Sequence, residues 1–387
     1  MPKPDLAIII TSYQMPWHLE RALLSVACQK TSRRLEVVVS DDGSTDETAR
    51  VVKRFAQTAP FPVRFVTHPH QGFHAARCRN EGVRHSTAPH LHFFDGDCLL
   101  PPDHLERHWQ AWRAGVTTCG YCARLERDVS ERVTLESIPS GEFTNWAPLE
   151  QRRSLQRMHY KRMLYSIIGH STRPAFISTD FSLSRDDFER VNGFDENFRG
   201  WGCEDDDFGL RLRRAGVQMV SVLNRTYIYH LWHPPAPSRP DEWKRGSNVA
   251  YLKRAIRLTS CLQGRAARRP QDLTVQVSGQ AADKAALRRL VATHGWKLAT
   301  AGQARADLEL VCRPGNGRFS GKSDCRVLAV LDEAGATRLD TRQADLLLVP
   351  RGMKIATDKP QFTLDDADAV WTAMDGQQRQ TALARAA

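Results

Sequence analysis

Short apolar runs alternate along the first hundred residues with segments in which apolar side chains return every third or fourth position. Positions 6–10, 35–40, 63–67 and 90–94 read as strands, apolar enough to be covered on both faces. Between them, 17–29 carries Leu19, Leu23, Leu24 and Ala27 at helical spacing. A second helix starts at a Thr45 or Asp46 cap and runs to about 57, and a third covers 74–85. Strands alternating with helices predict a mostly parallel α/β sheet with helices on both faces. Ligands bind such sheets in the crevice where the C-terminal strand ends open.

From 117 to 178 the pattern loosens into a basic, aromatic-containing stretch. Regular structure is expected again at 180–188, in a helix over 206–215 closed by Gly216, and in a strand over 218–223 that leads to 227–233. Pro234, Pro235, Pro237 and Pro240 then interrupt the chain, a helix follows at 243–258, and 265–270 has the composition of a linker. Beyond it, strands at 273–277, 307–312, 326–331 and 345–349 with a helix at 281–294 make a second α/β pattern. The expectation is a main domain over 1–260 and a small α/β accessory domain over 270–387. The accessory domain carries no phosphate loop, catalytic triad or metal cluster in its sequence.

Composition narrows the class. With 41% hydrophobic and 26% charged residues the chain is globular, not disordered or fibrous. No run approaches the roughly 18–20 apolar residues of a membrane span, and 7–10 is too short for a secretory h-region, so a cytoplasmic protein is expected. Nine cysteines without framework spacing fit a reducing compartment; Cys119 and Cys122 form one CxxC with no second pair, and are expected as buried thiols. The formal charge of +11 is diffuse and lacks an RNA-binding signature. It suits a phosphate-bearing small molecule or an anionic membrane surface, not nucleic acid.

Chemistry concentrates after the strands. Asp95–Gly96–Asp97 follows the fourth, and its two carboxylates can face a divalent cation that neutralises a diphosphate. Asp41–Asp42 ends the second, where a carboxylate can bind a nucleobase or ribose hydroxyl, and Thr11–Tyr13 ends the first, offering a hydroxyl and an aromatic face. Each segment alone reads equally well as a turn; their shared edge of one sheet is what points to a site. Further on, Gly200–Trp201–Gly202–Cys203–Glu204–Asp205–Asp206–Asp207 sets an indole before four acids at a helix start. One or two acids suffice to complement the helix dipole, so the run offers a candidate general base, kept ionised by the dipole, beside a sugar platform. His230 and His233 can join Asp97 in a site of Mn²⁺ type.

Together the 8–13 and 38–46 segments and the Asp95–Gly96–Asp97 triplet resemble family 2 glycosyltransferases of GT-A (Rossmann-like) fold. The 200–208 segment and His233 are similar to a galactosyltransferase-type C-terminal half, shared by chondroitin-polymerase-like bacterial enzymes. The likeness covers about 5–255. It implies a UDP-sugar donor, a carbohydrate acceptor, free or lipid-linked, and a Mn²⁺ or Mg²⁺ cofactor. It implies Thr11, Tyr13 and Asp42 on the uridine, Arg77 or Arg79 near the donor phosphates or the preceding loop, and Asp95 on ribose or sugar. Asp97, His233 and His230 would hold the metal, Trp201 would face the sugar, Asp205 would be the base and Glu204 would orient the acceptor. The implied setting is bacterial surface polysaccharide or glycan assembly, with inversion at the anomeric carbon. A nucleotidyltransferase would also use a paired aspartate site but should carry a glycine-rich loop after the first strand, where Thr11–Ser12–Tyr13–Gln14 stands. A non-catalytic nucleotide-sugar or carbohydrate-binding module would not need both the Asp97–His233 set and the acid run.

Overall fold

Leu6–Ser12 forms the first strand, β1, and its pleat sends alternate side chains to opposite faces. Leu6, Ile8 and Ile10 join one core with Leu19, Leu23 and Val52, while Ala7 and Ile9 join a second with Ala76, Val83 and a cluster of phenylalanines. A strand apolar on both faces needs cover on both sides, which is why this sheet is central. In this computed structural model residues 2–234, 246–254, 256–279, 281–300, 305–312, 319–331 and 340–376 are described. The chain divides into two compact units, Met1–Lys244 and Arg245–Ala387.

The first unit runs β1, α1 (Pro16–Ala27), β2 (Leu35–Asp41), α2 (Thr48–Thr58), β3 (Val63–Thr67), α3 (Ala75–Arg84), β4 (His90–Asp95), β5 (Cys98–Leu99) and α4 (His104–Ala111). It continues with β6 (Val116–Cys119), β7 (Cys122–Arg124), α5 (Arg127–Glu131), α6 (Leu149–Ile167), β8 (Asp180–Ser184), α7 (Arg185–Arg190), α8 (Glu204–Arg214), β9 (Gln218–Ser221) and β10 (Ile228–His230). Seven strands form one sheet in the order β3-β2-β1-β4-β8-β6-β9. Its pairs are parallel except at β8, which runs against both β4 and β6. The expected mixed α/β class and the first seven elements are therefore present.

The loosened stretch holds more structure than its sequence suggests: β6, β7, α5 and the 19-residue α6 all lie in it. The buried side chains of α6 are Leu155, His159 and Arg162. Two of the three are polar, so no apolar periodicity marks the helix. His159 meets the Ser221 hydroxyl at 3.2 Å, and Arg162 donates to the Gly120 carbonyl at 3.0 Å. A second, three-stranded sheet, β5-β10-β7, stands beside the large one.

The second unit carries α9 (Ser247–Leu252), β11 (Thr274–Ser278), α10 (Ala281–Thr293), β12 (Lys297–Leu298), β13 (Ala306–Val311), β14 (Ser323–Ala329), β15 (Leu346–Val349), β16 (Gln361–Thr363) and α11 (Ala367–Asp375). Its six strands are all parallel, in the order β12-β11-β13-β14-β15-β16. The helix expected over 243–258 is shorter than its pattern: α9 stops at Leu252, and Ile256 and Leu258 turn into the second unit's core with Leu273, Val275 and Leu308. Pro235, Pro237, Pro240 and Trp243 lie outside the described residues. Among those residues no helix is long and apolar enough to cross a membrane.

Candidate active site

Parallel register sets the geometry. Thr11 lies opposite Asp95 across β1 and β4, and Ser12 opposite Asp41 across β1 and β2. The three polar segments thus share one strand-end edge. The paired aspartates then part. Asp41 Oδ2 accepts from the backbone N–H groups of Gly43 at 3.1 Å and Ser44 at 2.7 Å and from the Thr67 hydroxyl at 2.8 Å, which makes it the turn-former. Gly43 has φ +81°, and a Cβ there would stand 2.5 Å from the His70 nitrogen, so only glycine fits.

Asp42 faces three histidines that sequence reading passed over. Its Oδ2 accepts from the His74 N–H at 3.2 Å and lies 3.5 Å from His70 Nδ1, while Oδ1 is 3.7 Å from His68 Nε2. Burial pushes this carboxyl upward. Tyr13 stacks on His70 with centroids 4.3 Å apart and planes 12° apart, and keeps 40% of its surface exposed. An exposed, parallel aromatic pair beside a carboxylate can take up a planar base. The signal in sequence was the His68–Pro69–His70 and His74 spacing, which has no meaning until the loop folds back over Asp42.

Beside the triplet, β5 pairs with β10 so that Cys98 lies opposite His230, and Leu231 N–H donates to the Asp97 carbonyl at 2.9 Å. This places His230 Nε2 3.5 Å and His233 Nε2 3.2 Å from one oxygen, Asp97 Oδ2. The other oxygen accepts from the Cys98 thiol at 3.1 Å. Burial alone would raise the Asp97 carboxyl, yet its imidazole and thiol neighbours hold it well below the usual range. Its hydrogen bond raises His233, whereas burial lowers His230. His18, unremarked in the sequence, reaches the Trp232 carbonyl at 3.1 Å and meets the His233 ring edge-on.

The acid run and the triplet are joined by one cation. Arg79, on α3 and 5% exposed, donates to Glu204 Oε1 at 3.2 Å and Asp95 Oδ1 at 3.4 Å. Thr11 Oγ1 donates to that same Asp95 oxygen at 3.0 Å. Burial, with Asp97 and Glu204 nearby, still lifts the Asp95 carboxyl to about 6. Asp205 behaves against expectation. Instead of being held ionised by the helix dipole, its carboxyl is pushed up to about 8 by burial and by the adjoining Glu204 and Asp206. The helix-end field is outweighed by burial and by the crowding of four acids in one turn. Asp207 is part of the core: fully buried, it accepts from Arg211 Nε at 2.6 Å.

Residues 7–177 match the model of glycosyl transferase family 2, and residues 158–234 match that of the N-terminal domain of galactosyltransferase. The first of these matches makes residues 7–177 similar to the family 2 glycosyltransferases. The validoxylamine A glucosyltransferase of Streptomyces hygroscopicus subsp. jinggangensis is 31% identical over 227 residues, 56% of this chain and 53% of that one. The Escherichia coli chondroitin synthase is 24% identical over 257 residues, covering 63% and 37%. The chain thus spans about half, or less, of the length of these curated relatives. A mannosyltransferase from Pyrobaculum calidifontis, solved with GDP-Man and Mn2+, is 20% identical with a TM-score of 0.42, covering 62% and 59%.

In the first unit the structure brings Thr11, Asp95, Arg79 and Glu204 into one bonded line and Asp97, His230 and His233 into one cluster. Arg79 is buried between carboxylates, so its geometry is that of a positioning residue. Arg77 sits on the same helix, half-buried. Trp201 is half-buried in the turn before α8, between Gly200 and Gly202 at φ +77° and +94°. That turn is tied to the Asp42 loop, since Gly200 N–H donates to the Phe73 carbonyl at 2.9 Å. Cys119 and Cys122 are buried free thiols raised by burial to about 11 and about 12.

Proposed function

We propose that this domain transfers a sugar from a UDP-sugar to a carbohydrate acceptor, with inversion, in a reaction that requires a divalent cation. The observation that carries the reading is the convergence of two imidazole nitrogens on one Asp97 oxygen, next to the Thr11–Asp95–Arg79–Glu204 line. A mixed nitrogen and oxygen donor set suits Mn²⁺ better than Mg²⁺. When bound, the cation neutralises charge on the departing nucleoside diphosphate.

The protein's own groups supply the rest. Tyr13, Thr11 and Asp42 hold the uridine, and Asp95 contacts ribose or sugar, with Arg79 fixing its direction. Trp201 covers a sugar face. Asp205 takes the proton of the acceptor hydroxyl as that oxygen bonds to the anomeric carbon and the bond to the diphosphate breaks on the opposite face. Glu204, held by the same arginine, orients the acceptor.

We assign the domain to bacterial surface polysaccharide or glycan assembly, in the cytoplasm at the inner face of the membrane. The outward side of α6 supports the location: Leu149, Tyr160, Leu164 and Ile167 are exposed among the exposed Arg153, Arg157 and Lys161. Aliphatic and basic side chains together suit the interface of an anionic bilayer and can bring the site to a lipid-linked acceptor.

The test is UDP release from a panel of UDP-sugars with glycan acceptors. EDTA should abolish release and Mn²⁺ restore it, and Asp97→Ala should remove turnover while leaving the fold intact. Full turnover in metal-free buffer would refute the cation requirement. No UDP release from any UDP-sugar, with pyrophosphate released instead from UTP and a sugar 1-phosphate, would refute sugar transfer.

A further inference from the structure

Behind the strand-end site lies a second histidine cluster, wholly inside the domain. His92 on β4, His104 and His108 on α4 and Asp180 on β8 are between 0 and 1% exposed. His104 and His108 are four residues apart and so share a helix face, and Asp180 is brought to β4 by its pairing with Phe94. The Nε2 atoms of His104, His108 and His92 lie 3.1, 3.4 and 3.5 Å from one oxygen, Asp180 Oδ1. We propose that these four residues hold a structural divalent cation of zinc type, in addition to the ion assigned to Asp97.

The distances to Asp180 Oδ1 are those of the edges of a coordination shell. Zinc bonds to nitrogen and oxygen of about 2.0–2.1 Å make a tetrahedron whose edges are about 3.3–3.4 Å. The donor atoms of His92, His108 and Asp180 all lie within 4.8 Å of one another, and His104 approaches the same carboxylate oxygen from the helix. Hydrogen bonding alone leaves the cluster incomplete. Among the described residues, Nε2 of His92, Nε2 of His108 and Oδ2 of Asp180 have no hydrogen-bond partner, although all are buried. Orphaned polar atoms at this depth are costly, and the two nitrogens both approach Asp180 Oδ1.

The outer shell fits too. His104 Nδ1 meets the Thr226 hydroxyl and His108 Nδ1 the Thr118 hydroxyl, both at 2.7 Å. A ring that donates from Nδ1 presents its Nε2 lone pair inward, which is how second-shell groups orient ligating histidines. A buried carboxylate among imidazole rings is charge held in a dry interior, which a dication would neutralise. A Cβ at Gly120 would stand 1.8 Å from Asp180 Oδ2, so the backbone there leaves room for the carboxylate alone. The ion would tie β4, β8 and α4 together three residues before Asp95, stiffening the strand that presents the triplet.

The experiment uses full-length protein carrying Asp97→Ala and His233→Ala, which dismantles the surface cluster. The variant is loaded with Zn²⁺, dialysed, and assayed for metal content, with Co²⁺ substitution read by visible absorption. We expect one tightly held metal per chain, a tetrahedral Co²⁺ spectrum and a Tm that rises on adding Zn²⁺. Adding His108→Asn should abolish retention and spectrum alike. Should that triple variant not fold, the Co²⁺ spectrum of the double variant decides alone. No retained metal, no Co²⁺ band and no Tm response in the double variant would overturn the proposal and leave a hydrogen-bonded cluster.

Discussion

Asp205→Asn should slow the enzyme and stabilise it at once. The folded carboxyl is raised to about 8 by burial and by Glu204 and Asp206, from an ordinary value of 3.8. Between those values the unfolded chain holds fewer protons than the folded one, so stability falls as pH rises from about 4 to about 8. Each pKa unit corresponds to about 1.4 kcal/mol. The Arg79 charge and the Asp206 N–H already lower that net value, so the neutral amide should gain up to about 5 kcal/mol at pH 7.5 and nothing at pH 4. The reactive form is the carboxylate, so wild-type kcat/KM should climb with pH and level off above about 8. Asn at 205 should flatten that climb and cut kcat about 10²–10⁴-fold, leaving UDP-sugar affinity within a few-fold. Glu204→Gln should instead raise acceptor KM more than it lowers kcat. Urea unfolding at the two pH values and full pH-rate profiles supply the readings. A variant that lost turnover but was equally stable at both pH values would show that burial of this carboxyl is not what tunes it. One that kept normal kcat would remove it as the base.

Asp207→Ala should act through folding alone, costing about 3–5 kcal/mol because it strands the fully buried Arg211; equilibrium denaturation checks this. We place the boundary of the autonomous glycosyltransferase domain at 244, so residues 1–244 should express as a cooperatively folding protein; a scan with no thermal transition would refute that boundary. Replacing Ile167 and Ile168, both exposed at the end of α6, with serine should weaken flotation with anionic vesicles without altering turnover of a soluble acceptor. Unchanged flotation would detach the helix from the membrane.

The fold was readable where burial is apolar and periodic. β1, β2 and β4 are covered on both faces, so their sequences are dominated by apolar residues, and α1 shows Leu19 and Leu23 one turn apart. α6 shows why the rest was not. Its buried stripe is Leu155, His159 and Arg162, and the polar members are satisfied by Ser221 and Gly120, residues far away in sequence. Periodicity detects apolar burial and is blind to polar burial that long-range partners make affordable.

The same limit divides the site. Asp95, Asp97, Asp42 and Thr11 were legible because parallel register puts strand ends side by side, so adjacency follows from topology alone. What Arg79 does was not legible, since its partners Asp95 and Glu204 lie 16 and 125 residues away and neither names the other. Its position carries a consequence for catalysis. Under the roles proposed for Asp95 toward the donor and Glu204 toward the acceptor, a shared guanidinium couples their orientations, because it cannot turn toward one without leaving the other. Donor and acceptor binding are then energetically linked through a single buried side chain. A lysine there would keep the charge but lose the fork, and with it the simultaneous hold on both halves of the site.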